Sequence, residues 1–474
     1  VFTDEKSEEN RLFVNRRREL ESLEEHYRSE HAELYVLYGR RRVGKTELLQ
    51  TFCQEKRHLF FVADLGTEAS LLAEFTRVIS AFAQGDPDLL APFVSWDTAF
   101  TFLARFTATE RLVLVLDEFT YLIRANPALP SILQRLWDMR LRETRLMLVL
   151  CGSYVGMMEK HVLGYEAPLY GRRSAQWQMQ PLGLHDAALF HPRYDPINHV
   201  YTFAILGGVP AYLLQFRESD GVLDNVQRRV LAQGAFLYDE PRFLLLEELR
   251  EPSRHFAILE AIAAGRTRPN EIAQAVGLAV TSLPSYLETL RALGLVEREA
   301  PATETQPHKS KRGRYQILDH YFRFWFRFVA PHRSLLDRGD IAPVARLIQE
   351  QLDQFTGPVF ESICREHVWR MVRAGALDFV PRYVGRWWDD HDEIDVVAVG
   401  EQQALLGECK WTTRPVGTNV LDELRHKAQP LVARQGWRHV TYALFARAGF
   451  TPALRDDAAR EGVVLIDLAA IAGS

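Results

Sequence analysis

The chain has 474 residues and, at roughly 100–200 residues per domain, is expected to hold two to four domains, each burying its own core. Its 47% hydrophobic and 25% charged residues exclude a disordered or fibrous class, and a formal net charge of −5 excludes coating of nucleic acid by bulk electrostatics, so any such contact must be local. Cys53, Cys151, Cys364 and Cys409 stand far apart, which fits neither a disulfide framework nor a zinc site, and no run approaches the roughly 18 apolar residues that cross a bilayer; with an acidic start, VFTDEKSEENR, that lacks a leader's apolar core, a cytoplasmic protein with no membrane partner is expected.

From Glu33 to about Leu182 short apolar runs (ELYVLY, HLFFVAD, RLVLVLDEF, RLMLVLCGS) alternate with helical periodicity, the rhythm of a parallel α/β sheet; residues 11–182 are read as its core. After the first run, Gly39, Arg40, Arg41, Arg42, Val43, Gly44, Lys45 and Thr46 match GxxxxGK[ST], and Glu47 follows in the helix that the motif opens. Such a loop wraps ATP phosphates with backbone N–H groups, Lys45 reaches the β/γ-phosphates and Thr46 ligates Mg²⁺. The third run ends in Asp117 and Glu118, one carboxylate for the Mg²⁺ shell and one to orient or deprotonate the attacking water. The fourth ends in Ser153, placed to sense the γ-phosphate. Arg172 and Arg173 are candidates for an arginine that neutralises transition-state charge, in cis or from a neighbouring copy.

Residues 183–250 read as a helical lid, broken by the turn Gly207-Gly208-Val209-Pro210. With FVNRRREL, YGRRRVGKT, VLDEF, the Gly-Ser after the fourth strand, PLYGRR and GGVPAYL in order, residues 11–245 resemble the archaeal-type ATPases of the STAND group within the AAA+ relatives. That resemblance implies a slow, switch-like ATPase, a glycine-x-proline element (Gly208-Val209-Pro210) whose Pro210 meets the nucleotide, and assembly into a homo-oligomer.

Residues 251–319 give three short helices and two strand-like pieces, VEREA and RYQILD, the order of a winged helix-turn-helix. The start of its second turn-pair helix, AVTSLPS, carries no basic residue; the wing carries Lys309, Lys311, Arg312 and Arg314, which suit either sequence-blind phosphate contacts or a solvated basic loop on a domain used for packing. Residues 320–350 form a helical connector that includes HYFRFWFRFV, whose spacing reads as buried.

Residues 351–474 are read as an α/β domain: a helix, three strands (PRYVGRWW, EIDVVAVG, ALLGECKW), a helix, a strand, a helix and a last strand. On a strand Glu408 and Lys410 share a face, and a hairpin turning near Glu401-Gln402 brings Asp395 opposite Glu408. Two such carboxylates call for a divalent metal, with Lys410 steadying hydroxide and phosphate charge; Glu361 on the preceding helix could add a third carboxylate. The set resembles the PD-(D/E)xK nuclease superfamily, with Ile394 where the nominal proline would stand. The longer run of YQILDHYFRFWFRFV, GRWW, EIDVVAV and GECKW over about 315–474 is similar to an uncharacterised family that follows archaeal-type ATPase domains. Three readings stay open: a Mg²⁺-dependent nuclease-like domain, an inactive nucleic-acid- or protein-binding module, or strands with solvated charges. The expected whole is an ATP-driven switch controlling an output domain that acts on DNA.

Overall fold

The structure, a computed structural model, describes residues 13–83, 92–249 and 251–473. The acidic start and the expected beginning of the ATPase core at residue 11 lie outside the described residues. The chain divides between Pro181 and Leu182 into two compact units.

In the first unit the four apolar runs form β1 (Glu33–Tyr38), β2 (His58–Val62), β3 (Leu112–Asp117) and β4 (Leu146–Gly152), joined by a fifth strand, β5 (Ala175–Gln178). All pair in parallel in the order β2-β3-β4-β1-β5. β3 and β4 are buried along their whole length, which is why they read as unbroken apolar runs rather than alternating ones. Alternate residues serve two cores: Leu34, Val36, Leu114 and Leu148 pack with Phe75, Phe100 and Leu133 on one face. Tyr35, Leu37, Val113 and Val149 pack with Leu48, Leu49 and Phe52 of the helix Lys45–Cys53 on the other. Because β4 lies between β1 and β3, whatever follows β4 stands between the phosphate loop and the acidic pair.

The second unit begins with lid helices, Pro196–Leu206 the longest of those before the Gly207-Gly208 turn. Gly208 has to be glycine: a Cβ there would stand 1.7 Å from the Leu182 carbonyl oxygen, and the Leu182 N–H donates to the Gly208 carbonyl at 2.7 Å. Helices Pro252–Ala263, Pro269–Val276 and Leu283–Ala292 precede the antiparallel pair β6 (Val296–Glu299) and β7 (Arg314–Ile317), completing the winged-helix order. In the connector Tyr321, Phe322, Phe324, Trp325, Phe326 and Phe328 are all buried, so this aromatic run is core and offers no stacking face to bases.

One helix, Ile341–Arg373, runs without a break through positions 350 and 351, so the end of the connector and the start of the C-terminal domain share a single rod. Buried Val344, Ile348, Leu352, Val359, Phe360, Ile363 and Val368 keep one apolar stripe along it, and that continuity leaves no reason for a linker there. The C-terminal sheet contains β8 (Tyr383–Trp388), β9 (Glu393–Val399), β10 (Gln403–Lys410), β11 (His439–Ala446) and β12 (Val464–Asp467), in the order β12-β11-β10-β9-β8. β8, β9 and β10 pair antiparallel, whereas β10, β11 and β12 pair parallel through helical crossovers. Residues of helix Thr418–Gln435 pack on one face of this sheet, with Leu421, Leu424, Ala428 and Leu431 joining Ile394, Val397, Leu406 and Leu444.

Candidate functional site

The phosphate loop is a strained turn between β1 and its helix. Gly39 (φ 151°) lies so close to the Met179 carbonyl that a Cβ would come within 2.5 Å of it, and Gly44 (φ 92°) caps the helix in the left-handed region. Arg42 also takes a left-handed φ of 71°, a conformation that costs a non-glycine residue free energy and collects at ligand-gripping loops. The Lys45 ammonium is buried and donates to the Gly39 and Arg40 carbonyls, each at 2.9 Å, so the loop is already folded around this charge. Val43 is buried in the loop, and Glu47 sits in the first turn of the helix.

The side chains of the two acidic residues have different partners. Thr46 Oγ1 donates to Asp117 Oδ2 at 2.6 Å, joining a hydroxyl in the first turn of the helix Lys45–Cys53 to a buried carboxylate at the end of β3. This all-oxygen pair fits Mg²⁺, a hard cation that takes one or two protein oxygens and fills its other positions with phosphate and water. Glu118, left-handed at φ 51°, donates its backbone N–H to Asp117 Oδ1 at 2.9 Å, and Ser153 Oγ donates to its Oε2 at 2.7 Å. Ser153, following the intervening strand, thus reaches the candidate base. The Cys151 thiol beside Asp117 is pushed well up by burial and then by that carboxylate's charge, so it remains a neutral thiol.

Arg172 makes a forked contact with Asp138, Nη2 to Oδ2 at 2.9 Å and Nε to Oδ1 at 3.1 Å. Arg173 donates to the Leu163 carbonyl at 3.0 Å and lies over the Tyr170 ring. Pro210 opens the short helix Pro210–Leu213 of the second unit. One residue that carries no role in the sequence reading also belongs here. Arg16, buried and left-handed (φ 62°), donates to the Val43 carbonyl at 3.0 Å and the Gln180 carbonyl at 2.9 Å, fastening the phosphate loop from behind. The Arg41 guanidinium donates to the Tyr121 hydroxyl at 2.7 Å. Arg16 lies within FVNRRREL, but nothing in that pattern says which of its three arginines turns inward.

In the C-terminal sheet, the β9/β10 register pairs Gly407 with Val396, and one further step sets Asp395 across from Glu408. Asp395 Oδ2 accepts the Cys409 N–H at 2.9 Å, pinning the carboxylate onto the neighbouring strand. Lys410 Nζ donates to Glu408 Oε1 at 2.8 Å, while Glu408 Oε2 is buried without a hydrogen-bond partner. Burial, and then the Glu361 and Glu408 charges, push the Asp395 carboxyl up to about 7. Burial by itself would lower the Lys410 ammonium, but its contact with Glu408 outweighs this and holds it above its usual value. Glu361 is likewise raised by burial, opposed by Arg365 and Arg386.

A divalent cation fits the Asp395–Glu408 pair, since it would meet the unpartnered Glu408 oxygen and relieve the repulsion felt at Asp395. Glu361, the candidate third carboxylate, lies 3.8 Å from Arg365, whose guanidinium also donates to the Asp395 carbonyl at 2.9 Å. Among the described residues no three His, Cys, Asp or Glu side chains gather closely enough to hold a metal ion. Beyond Lys410 the chain is tied down at Trp411, whose indole N–H donates to Asp353 Oδ1 at 3.1 Å, an oxygen shared with Arg447 and Tyr201.

The wing is engaged with this sheet. Arg386 of β8 bridges Glu299 of β6 at 2.8 Å and Glu393 of β9 at 3.1 Å, and the Ala302 N–H donates to the Arg386 carbonyl at 2.9 Å. Arg312 pairs with Glu304 and donates to the Trp388 carbonyl at 3.3 Å, while Arg314 stacks over the Trp388 ring and lies 3.6 Å from Glu393. Of the four wing cations, Lys309 and Lys311 are the exposed ones.

A phosphate loop on β1, an acidic pair on β3 and a polar residue on the strand between them define a P-loop ATPase, here followed by a winged helix and a mixed-sheet domain. Residues 13–216 match the family described as an ATPase domain predominantly from Archaea, residues 252–300 the IclR helix-turn-helix domain, and residues 325–423 a family of archaeal and bacterial proteins of unknown function. An uncharacterized protein of Methanocaldococcus jannaschii is 33% identical over 406 residues, covering 84% of this chain and 88% of that protein. The chain belongs to the same family of archaeal-type ATPase-domain proteins. An uncharacterized ATP-binding protein of the same organism is 52% identical over 46 residues, 10% of this chain and 78% of that one. Among solved structures, the Walker-type ATPase of Pyrococcus abyssi is similar in fold, with a TM-score of 0.52 and 22% identity over 66% of this chain and 96% of that one.

Proposed function

We propose that this protein is an ATP-hydrolysing switch of the STAND type whose C-terminal domain is a metal-dependent nuclease acting on DNA. In the ATPase site Thr46 and Asp117 would hold Mg²⁺, which when bound supplies charge stabilisation at the phosphates. Lys45 neutralises phosphate charge, and Glu118 orients or deprotonates the attacking water once Ser153 releases it. Pro210 of the lid, and Arg172 or Arg173 from this or a neighbouring copy, would report the nucleotide's state. In the C-terminal site Asp395 and Glu408 would hold the divalent cation, which when bound supplies Lewis-acid assistance to phosphodiester cleavage. Lys410 positions the attacking water and meets the phosphate charge.

The observation that supports the output reading is the Asp395–Glu408 register with the Lys410 ammonium on the same carboxylate. A second reading, a catalytically inactive binding module, draws support from Glu361, whose carboxylate is engaged by Arg365. One experiment separates them: the full chain is incubated with plasmid and linear DNA, Mg²⁺ or Mn²⁺, with and without ATP, beside Asp395→Ala and Lys45→Ala. Nuclease action requires cleavage that Asp395→Ala abolishes; DNA retention without cleavage selects the binding module. Lys45→Ala is expected to lower ATP turnover by about a hundredfold or more, and turnover that survives it removes the ATPase assignment.

A further inference from the structure

Glu408 carries more positive charge than one carboxylate needs. On the helix Thr418–Gln435, Lys427 Nζ lies 3.5 Å from Glu408 Oε1, the same oxygen that Lys410 Nζ contacts at 2.8 Å. The Glu408 side chain is 6% exposed, whereas those of Lys410 and Lys427 are 31% and 28% exposed. Both lysine side chains therefore reach solvent while the carboxylate is shut away from it, so an anion approaching from outside has access to them before it reaches Glu408.

We propose that Lys427 is a phosphate-binding residue of this site: it partners Glu408 while no divalent cation is bound, and passes to a phosphodiester oxygen of DNA when a divalent cation takes Glu408. The inference rests on the reading of Asp395 and Glu408 as metal ligands. Its physical basis is competition for one oxygen. A buried carboxylate cannot give up its partners without an equivalent charge, and a divalent cation supplies that charge at shorter range than an ammonium. Lys427 is the more loosely held of the two cations, at 3.5 Å, and its four-carbon stem lets the ammonium swing while the helix stays packed. Lys410, at 2.8 Å, is the closer partner and stays beside the reacting phosphate.

Competition of this kind makes the same substitution act with opposite signs on two ligands, which a purely structural lysine would not do. The test uses the full chain as wild type, Lys427→Gln, Lys427→Arg and Asp395→Ala. Mn²⁺ binding is followed by the electron-paramagnetic signal of the free ion, and binding of a short DNA oligonucleotide by anisotropy in Ca²⁺ at several salt concentrations. Lys427→Gln is expected to tighten Asp395-dependent Mn²⁺ binding by about two- to fivefold, the worth of one partly exposed ion pair. It is also expected to weaken DNA binding by about three- to tenfold and to reduce the salt slope by about one. Lys427→Arg, which keeps the charge, holds DNA affinity within about twofold of wild type. If Lys427→Gln leaves both affinities unchanged, or weakens both together, the proposal is overturned while the metal reading stands. If wild type shows no Mn²⁺ binding that Asp395→Ala removes, the metal reading fails and this inference falls with it.

Discussion

Replacing Arg386 with methionine tests whether the winged helix is held to the C-terminal sheet by its own charges. Arg386 is 17% exposed and bridges Glu299 (11% exposed) at 2.8 Å and Glu393 (40% exposed) at 3.1 Å. Methionine preserves most of the packing over Trp388 but strands a buried carboxylate, and removing one member of a buried pair costs about 3–5 kcal/mol. Glu299 retains a contact from Gln316 at 3.4 Å, and Glu393 can hydrate and keeps Arg314 at 3.6 Å, so the expected loss is about 2–3 kcal/mol. Glu299→Gln removes the stranded charge, so the double variant should be less destabilised than the sum of the singles, with a coupling of about 1–2 kcal/mol. Urea unfolding followed by tryptophan emission reads this directly, because Trp387 and Trp388 flank the junction. Hydrogen exchange should accelerate in β6 and β7. Additive singles, with coupling below about 0.5 kcal/mol, would refute a wing anchored electrostatically to the sheet.

Three further outcomes follow from particular contacts. Arg16→Met deprives the Val43 and Gln180 carbonyls of a buried charged donor, each such hydrogen bond being worth about 1.5–3 kcal/mol; a fluorescent ATP analogue should bind at least about tenfold more weakly, and an unchanged Kd would show that Arg16 does not brace the phosphate loop. Gly208→Ala forces a Cβ onto the Leu182 carbonyl and should destabilise the lid by about 1–3 kcal/mol or more, read as a lower thermal midpoint. His320 donates from Nδ1 to the Phe203 carbonyl, and burial lowers its pKa to about 4, so the folded chain keeps the ring neutral where the unfolded chain would protonate it. The stability this group contributes is present above about pH 6.5 and is lost as pH falls through about 4, a loss of up to about 3 kcal/mol that His320→Gln should flatten in urea midpoints taken between pH 7 and 4.

The phosphate loop, the acidic pair and four strands of the first sheet are legible in the sequence because each is local: a spacing of glycines, or an apolar run fully buried in a parallel sheet. β5 is not, since Ala-Gln-Trp-Gln is a strand only because the edge of β1 pairs with it. The same division holds at the C-terminal end. Alternation along β10 puts Glu408 and Lys410 on one face from sequence alone, and a short turn suffices to expect Asp395 opposite. That Lys427 joins them from a helix seventeen positions beyond Lys410, that Arg365 holds Glu361, and that Arg312 and Arg314 of the wing engage Glu304, Glu393 and Trp388 are facts of packing. Charge identity is written residue by residue, but charge pairing depends on which surfaces the fold closes together. The sequence by itself therefore determined the chemistry available to this protein. The tertiary structure decided which of its charges are already bound to one another and which stand at the surface to meet a ligand.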